Sequence, residues 1–211
     1  MNRQILKIIP FCAAFVLPLN KESGWSELKF NKIPANQVEF SGDTIAVRVG
    51  KSAGPLLFKL DQTKNVEAIR IEFAVEGEMA DSPVKNFPED SYLRFGLVAT
   101  GERTINKLQM LLAPDWVKKL YELSPKGVGL DKIYFYGVSE NVEAVGLERL
   151  NPKSDLIYEQ IVTSLKQSNG VLEYKLPKSL PTAAIWVSID GDDSKSNFKT
   201  VIKKISLETK P

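Results

Sequence analysis

Apolar and polar residues alternate with a period of two from Trp25 onward, in short runs separated by glycine, proline, asparagine and aspartate. In residues 69–75 every odd-numbered position is apolar, whereas Arg70 and Glu72 point to the opposite face. This pattern predicts half-buried antiparallel strands, because successive side chains in a strand point to opposite faces. Strands are predicted at residues 40, 44–49, 56–60, 69–75, 92–99, 133–138, 156–165, 171–176, 183–189 and 199–207.

One stretch departs from the alternation and predicts a helical insertion. Between residues 104 and 123 the apolar positions recur at helical spacing, and Pro114 suits the first turn of a second helix after a break. We expect this insertion to cover an open end or edge of the sheet; the alternative is a lid over a binding cleft. Residues 156–165 also fit a helix and are interpreted as a strand. The predicted fold is a mainly β, antiparallel β-sandwich with a short helical insertion around residues 104–123.

The first 19 residues have the pattern of an export signal, with Arg3 and Lys7 preceding an uncharged, mostly apolar run at residues 8–19. This run is too short for a membrane-spanning helix, which needs about 20 residues. Residues 12–14 offer a small-x-small pattern, but cleavage and retention both stay open. The alternative is a first buried element of a cytosolic protein. The sequence therefore predicts an export signal or N-terminal anchor at 1–19, a single domain at 20–211, and a periplasmic or secreted location.

Charge and rare residues exclude several classes of function. The chain carries 28 basic and 26 acidic residues, and the leader's two basic residues account for the difference. Interleaved charges leave no basic stripe for nucleic acid and no polybasic arm for anionic lipid. Histidine is absent, so Ser-His-Asp catalysis, Cys-His catalysis and histidine-ligated zinc are excluded. The one cysteine, Cys12, lies in the leader, so the body has no disulfide and must be stabilised by a single apolar core.

Three segments carry a resemblance to a known family. They are KSAGPL at 51–56, PEDSYLR at 88–94 and AIWVSIDGDD at 184–193. In order and spacing they resemble a bacterial exported domain-of-unknown-function family numbered three thousand and forty-seven, in which tryptophans stand at the positions of Ile71 and Phe73. The resemblance implies a galactose-binding-like jelly roll in an exported protein, and it brings no established activity with it.

An oxygen-rich loop between the last two predicted strands is a candidate metal site. Its side chains are those of Asp190, Asp192, Asp193, Ser194, Ser196 and Asn197. Oxygen ligands suit calcium, although Lys195 and Val201 stand where an EF-hand needs glycine and glutamate. The predicted cofactor is therefore none, or calcium held by Asp190, Asp192 and Asp193, and ordinary turn chemistry is the alternative.

Candidate ligand-binding residues are charged groups beside the predicted strands and one aromatic ring. They are Arg70, Glu72, Asp90, Arg94 and Trp186. The carboxylates and guanidinium groups could bind or cleave a sugar, and exposed aromatic faces, including those of Tyr134, Phe135 and Tyr136, could stack on one. The alternative for the carboxylates is a solvated strand face, and for the rings a place in the core.

These observations predict an exported, non-enzymatic binding module for a glycan or envelope polysaccharide. No catalytic residue is assigned, and neither nucleic acid nor a stable membrane span is expected. Two alternatives stay open. One is a cell-envelope protein-interaction domain without a small ligand, which an apolar patch on the outer face of residues 105–123 would favour. The other is a glycan hydrolase or lyase that uses two carboxylates such as Glu72 and Asp90.

Overall fold

The computed structural model describes residues 14–79, 87–165 and 168–210, and it is mainly β. Two short helices interrupt the strands, as the sequence predicts. In chain order the elements are β1 Ala14–Val16, β2 Ser26–Glu27, β3 Gln37–Ser41, β4 Thr44–Gly50, β5 Leu56–Glu78, β6 Ser91–Gly101, α1 Lys107–Leu112, α2 Asp115–Leu123, β7 Gly129–Ser139, β8 Glu148–Leu150, β9 Ile157–Ser164, β10 Asn169–Asp190 and β11 Asn197–Lys210.

The strands pair in the order β3-β4-β11-β5-β10-β6-β7-β9-β8, while β1 pairs with β11 and β2 with β5. Neighbours are antiparallel except for β7 and β9, which run parallel. The two longest strands, β5 and β10, pass from one layer to the other. The first half of β10 pairs with β5 alone, whereas residues 182–190 also pair with β6. Register shifts between Lys175 and Leu180 and between Thr182 and Ala184 mark the change.

Contacts between non-neighbouring strands show that the sheet folds over on itself. Strands β6 and β11 are separated by β5 and β10 in the pairing order. Yet the rings of Tyr92 and Phe198 pack edge to face with centroids 5.0 Å apart, and Thr200 Oγ1 donates a hydrogen bond to the Tyr92 carbonyl oxygen at 2.9 Å. The result is a two-layered β-sandwich whose main core lies between the layers. The predicted class, a mainly antiparallel β-sandwich with a helical insertion, is confirmed.

A second, smaller core lies on the outer face of one layer, under α2. The buried residues of α2 are Val117, Leu120 and Leu123, and they share this core with residues of β5, β6, β7 and β10. The insertion therefore covers a face of the sheet, where the sequence predicted an edge or open end. Pro114 immediately precedes α2, and Leu156 to Leu165 contains β9, so the strand interpretation of that segment holds.

The packed domain extends back to Ala14. Strand β1 pairs with residues 206–208 of β11, and Leu17 and Leu19 are 2% and 3% exposed in the main core. Pro18 accepts a hydrogen bond of 2.8 Å from the indole of Trp25. Residues 14–19 therefore pack in the sandwich, whereas the sequence pattern predicts that the domain begins at residue 20. The basic residues and Cys12 of the export signal lie outside the described residues, so the signal stays a prediction.

In the described ranges neither helix has the length and hydropathy that a membrane crossing requires.

Candidate functional site

Arg70 and Glu72 lie together on an exposed face of β5. The guanidinium of Arg70 is 3.5 Å from the carboxylate of Glu72, and it also pairs with Glu173 on β10. Both side chains are nearly half exposed. Exposed pairs of this kind are solvated and contribute little stability.

The pair is far from the other predicted ligand residues. Glu78 pairs with Asn197 at the C-terminal end of β5. Glu72 lies about 20 Å from Glu78 along the strand, since the rise is roughly 3.3 Å per residue. Asp90 lies near the loop that leads to that end, since it accepts a hydrogen bond from the backbone N–H of Ser194, three residues before Asn197. Glycoside cleavage needs two carboxyl groups about 5–10 Å apart, so Glu72 and Asp90 do not form such a pair.

Arg94 is buried on the outer face of β6 and organises a charged network. Its Nη2 donates to the carbonyl oxygens of Pro88 and Glu89, the first at 2.6 Å. Its Nη1 lies 3.5 Å from Glu159 Oε1 and 3.8 Å from Asp190 Oδ2.

Glu159 joins Arg94 to a second arginine. It is 3% exposed on β9, and its Oε2 accepts hydrogen bonds from Arg149 Nε at 2.8 Å and from Asn151 Nδ2 at 3.0 Å. Arg149 also donates to Glu89, and that hydrogen bond lowers the pKa of Glu89. We define the charged network as Arg94, Glu159, Arg149, Glu89 and Asp190. The network fastens the segment before β6 onto the strands.

Asp190 belongs to this network, although the sequence placed it with Asp192 and Asp193. Its carboxylate accepts hydrogen bonds from Ser188 Oγ at 2.9 and 3.1 Å and faces Arg94. Burial raises the pKa of Asp190 to about 6, against the opposing effects of Arg94 and Ser188. An acid already bound to a guanidinium and a hydroxyl is a poor candidate for a cation ligand.

A different acid joins Asp192 and Asp193. One carboxylate oxygen from each of Asp90, Asp192 and Asp193 lies within 4.8 Å of the other two, and we call these three residues the acidic cluster. Burial raises the pKa of Asp192, as do the neighbouring charges of Asp193 and Asp90. The cluster brings together an acid before β6 and two acids before β11, at the loop end where the sequence predicts a binding surface near Asp90, Arg94 and the Asp190 loop.

The tryptophan chosen from the sequence is covered. Trp186 is 4% exposed and packs in the second core with Leu57 and Val98. A ring enclosed in this way presents no free face to a ligand, so the core interpretation describes Trp186 correctly. Trp25 is also buried, with its ring centroid 5.1 Å from that of Phe58.

Three partly exposed aromatic residues and one buried one do meet where the two layers approach each other. Tyr134 and Tyr136 lie on β7, Tyr158 on β9 and Tyr174 on the first half of β10, and we call them the tyrosine surface. The centroids of Tyr134 and Tyr158 are 5.6 Å apart, and those of Tyr136 and Tyr174 are 4.7 Å apart. The parallel register of β7 and β9 places Tyr134 beside Tyr158. Phe135 points the other way, into the second core.

Polar side chains hold three of these rings. The hydroxyl of Tyr134 donates to Asp131 at 2.5 Å, that of Tyr158 to Glu148, and that of Tyr174 to Gln160 at 2.9 Å. These three tyrosines are partly exposed, whereas Tyr136 is buried beneath them. The arrangement offers ring faces beside hydrogen-bonding groups. Sequence reasoning singled out Tyr134 and Tyr136 but not Tyr158 and Tyr174, because the pairing of β7 with β9 was not known.

The tyrosines make the free energy of unfolding depend on pH in the alkaline range. Burial raises the pKa of Tyr92 to about 12 and also raises the pKa of Tyr121, Tyr134, Tyr136 and Tyr158. A raised pKa means that the folded state favours the neutral phenol. Its stabilising contribution is therefore complete below the ordinary tyrosine pKa of about 10 and is lost as the pH rises through the folded values.

We expect the free energy of unfolding to fall from about pH 10 upward. Tyrosinate absorbance should appear above pH 10 in the folded protein and near pH 10 in urea. Tyr136→Phe should weaken the pH dependence, because burial is the main cause of the raised pKa of Tyr136. Identical titration curves for folded and unfolded protein would contradict this expectation.

Comparisons with known proteins give no family. No family model matches the chain, and no curated protein matches it. Membership of the domain-of-unknown-function family therefore stays a prediction.

Several solved structures are weakly similar. The family 11 carbohydrate-binding module of a cellulosomal cellulase of Clostridium thermocellum is 11% identical, with a TM-score of 0.43 and coverage of 94% of this chain and 96% of the module. The CBM22-1 xylan-binding domain of Paenibacillus barcinonensis Xyn10C is 11% identical, with a TM-score of 0.34 and coverage of 95% of this chain and 96% of that domain. The chain spans 24% of the length of a third, PfGH50B, with 95% of this chain covered, 13% identity and a TM-score of 0.39. At these TM-scores, function must be argued from this chain's own residues.

Proposed function

We propose that this domain is an exported, non-enzymatic glycan-binding module and that the tyrosine surface is its binding face. The observation that carries the proposal is the meeting of Tyr134, Tyr136, Tyr158 and Tyr174, with centroids 4.7 to 5.6 Å apart in the two measured pairs. Tyrosine combines a flat apolar ring with a polar tip, so it suits a ligand that has both apolar and hydroxylated faces.

The chemistry around the rings supports a sugar. The C–H face of a pyranose can pack on the exposed rings, while its hydroxyl groups reach the oxygens of Asp131, Glu148 and Gln160. Those three side chains already accept hydrogen bonds from the tyrosine hydroxyls, which keeps the ring orientations fixed before a ligand arrives. A preorganised surface loses less conformational freedom on binding than a mobile one.

Glycan binding should depend on the exposed rings. Tyr158→Ala and Tyr134→Ala should each weaken binding at least about tenfold, since a central aromatic contact is worth about 1.4 kcal/mol or more. A glycan array identifies the ligand, and calorimetry on the wild type and variants measures the affinity. Tyr121→Ala is the matched control, because Tyr121 lies on α2 and packs on the second core.

Two results would contradict the proposal. One is an absence of binding to every arrayed glycan, confirmed by calorimetry. The other is an identified ligand whose affinity is the same for Tyr158→Ala, Tyr134→Ala and the control, because the ligand would then bind elsewhere. Melting curves of all variants separate lost binding from lost folding.

A protein-interaction domain of the cell envelope is the second candidate, and helix α1 favours it. Leu108, Leu111 and Leu112 are 67%, 72% and 77% exposed, and α1 has no buried residue. A capping box between Asn106 and Gln109 stabilises the N-terminus of the helix. Adjacent exposed leucines are typical of contact surfaces. A variant with serine at Leu108, Leu111 and Leu112 should bind glycan as the wild type does if the domain is a glycan-binding module. The same variant should fail to capture a protein partner if the domain is a protein-interaction domain.

A further inference from the structure

The acidic cluster has features that ordinary turn chemistry does not explain. Asp90 is 6% exposed, and its Oδ2 accepts the backbone N–H of Ser194 at 2.5 Å. Its Oδ1 is also buried but has no hydrogen-bond partner within the described structure. A buried carboxylate oxygen without a partner costs stability, so such a group in a folded protein calls for a bound ion or water to satisfy it.

The charges of the cluster are also uncompensated by the protein. Among the described residues, no salt bridge involves Asp90, Asp192 or Asp193. The nearby guanidinium of Arg94 is directed instead at Glu159 and Asp190. Three carboxylates with oxygens within 4.8 Å repel one another, and burial of Asp90 strengthens that repulsion.

We infer that Asp90, Asp192 and Asp193 bind a calcium ion that joins the segment before β6 to the loop between β10 and β11. The donor set contains carboxylate oxygens and neither nitrogen nor sulfur, which selects a hard cation. Calcium accepts six to eight oxygen ligands in flexible geometry, so backbone carbonyl groups and water can complete its coordination around three carboxylates. A bound cation would compensate the charge of the buried Asp90 carboxylate and remove the repulsion within the cluster.

Calcium binding at this site should stabilise the folded chain. After removal of metal with a chelator, calcium at about 100 times its dissociation constant should raise the melting temperature by roughly 5–10 °C. Calorimetry with calcium chloride alone should show one binding event. Asp193→Asn should reduce calcium affinity at least about tenfold; its side chain is exposed, so this change should not disturb folding. Asp90→Asn tests the buried ligand.

Asp155→Asn is the matched control, since Asp155 is an exposed acid that pairs with Arg103. It should bind calcium as the wild type does. The inference is overturned if millimolar calcium gives neither heat nor a melting shift, or if Asp193→Asn and the control bind calcium equally. These measurements contain no glycan, so their failure would leave the proposed glycan-binding function standing.

Discussion

A chain that begins at Asn20 should unfold far more readily than one that begins at Ala14. The shorter chain lacks Leu17 and Leu19, both of which lie in the main core. Loss of a buried leucine side chain costs about 2–5 kcal/mol, and a domain of this size has about 5–15 kcal/mol in total. The backbone N–H of Leu17 also donates to the Ile205 carbonyl at 3.0 Å, so its loss leaves a buried acceptor without its partner.

Denaturant unfolding followed by circular dichroism measures the difference. Leu17→Ala in the longer chain should lower the free energy of unfolding by about 2–5 kcal/mol. Val16→Ala should lower it by about 0.5 kcal/mol or less, because Val16 is half exposed. Equal stability of the two chains would show that residues 14–19 do not pack as described.

This result bears on the predicted export signal. Cleavage after residue 19 would remove two core residues, whereas cleavage at the small-x-small pattern of residues 12–14 would leave Phe15, Leu17 and Leu19 in the domain. Lys64 also packs its ammonium 4.3 Å from the centroid of the Phe15 ring. If a leader is removed, the stable product is therefore the one that keeps Phe15.

Replacing Arg94 with methionine should destabilise the domain by about 3–5 kcal/mol, since removal of one member of a buried ion pair leaves an uncompensated charge. Asp190 loses its cationic neighbour, and Glu159 loses one of its two arginines. The carbonyl oxygens of Pro88 and Glu89 lose their donor as well, which releases the segment before β6.

Arg70→Met is the matched control and should cost less than about 1 kcal/mol, because its ion pairs are exposed to solvent. Arg94→Lys should fall between the two, since an ammonium group cannot reproduce the planar, forked contacts of a guanidinium. Equal costs for Arg94→Met and Arg70→Met in denaturant unfolding would refute a structural role for the charged network.

Local pattern was sufficient to predict the elements themselves. The alternation in residues 69–75 recurs as part of β5, and the helical spacing at 104–123 as α1 and α2 with their break before Pro114. These predictions succeed because side-chain direction follows from the backbone repeat, two residues in a strand and 3.6 in a helix. The length of β5 was missed, since the polar residues at 61–65 look like a turn although the strand continues through them.

The candidate sites depended on contacts that sequence spacing does not encode. Glu159 looks like a solvated strand residue until β8 and β6 bring Arg149 and Arg94 to it. Asp90 meets Asp192 and Asp193 because β6 and β10 pair side by side, with Ser91 opposite Asp190. Tyr158 meets Tyr134 because β7 and β9 run parallel.

The amino-acid sequence by itself determined that this chain is a mainly β domain with one helical insertion, without histidine chemistry and without disulfides. The tertiary structure decided which strands pair, which charges are buried and which rings stay exposed. Periodicity acts over neighbouring residues and sets local conformation, whereas pairing and burial arise from packing between segments far apart in the chain. The sequence pattern and the tertiary structure therefore carry different information about function.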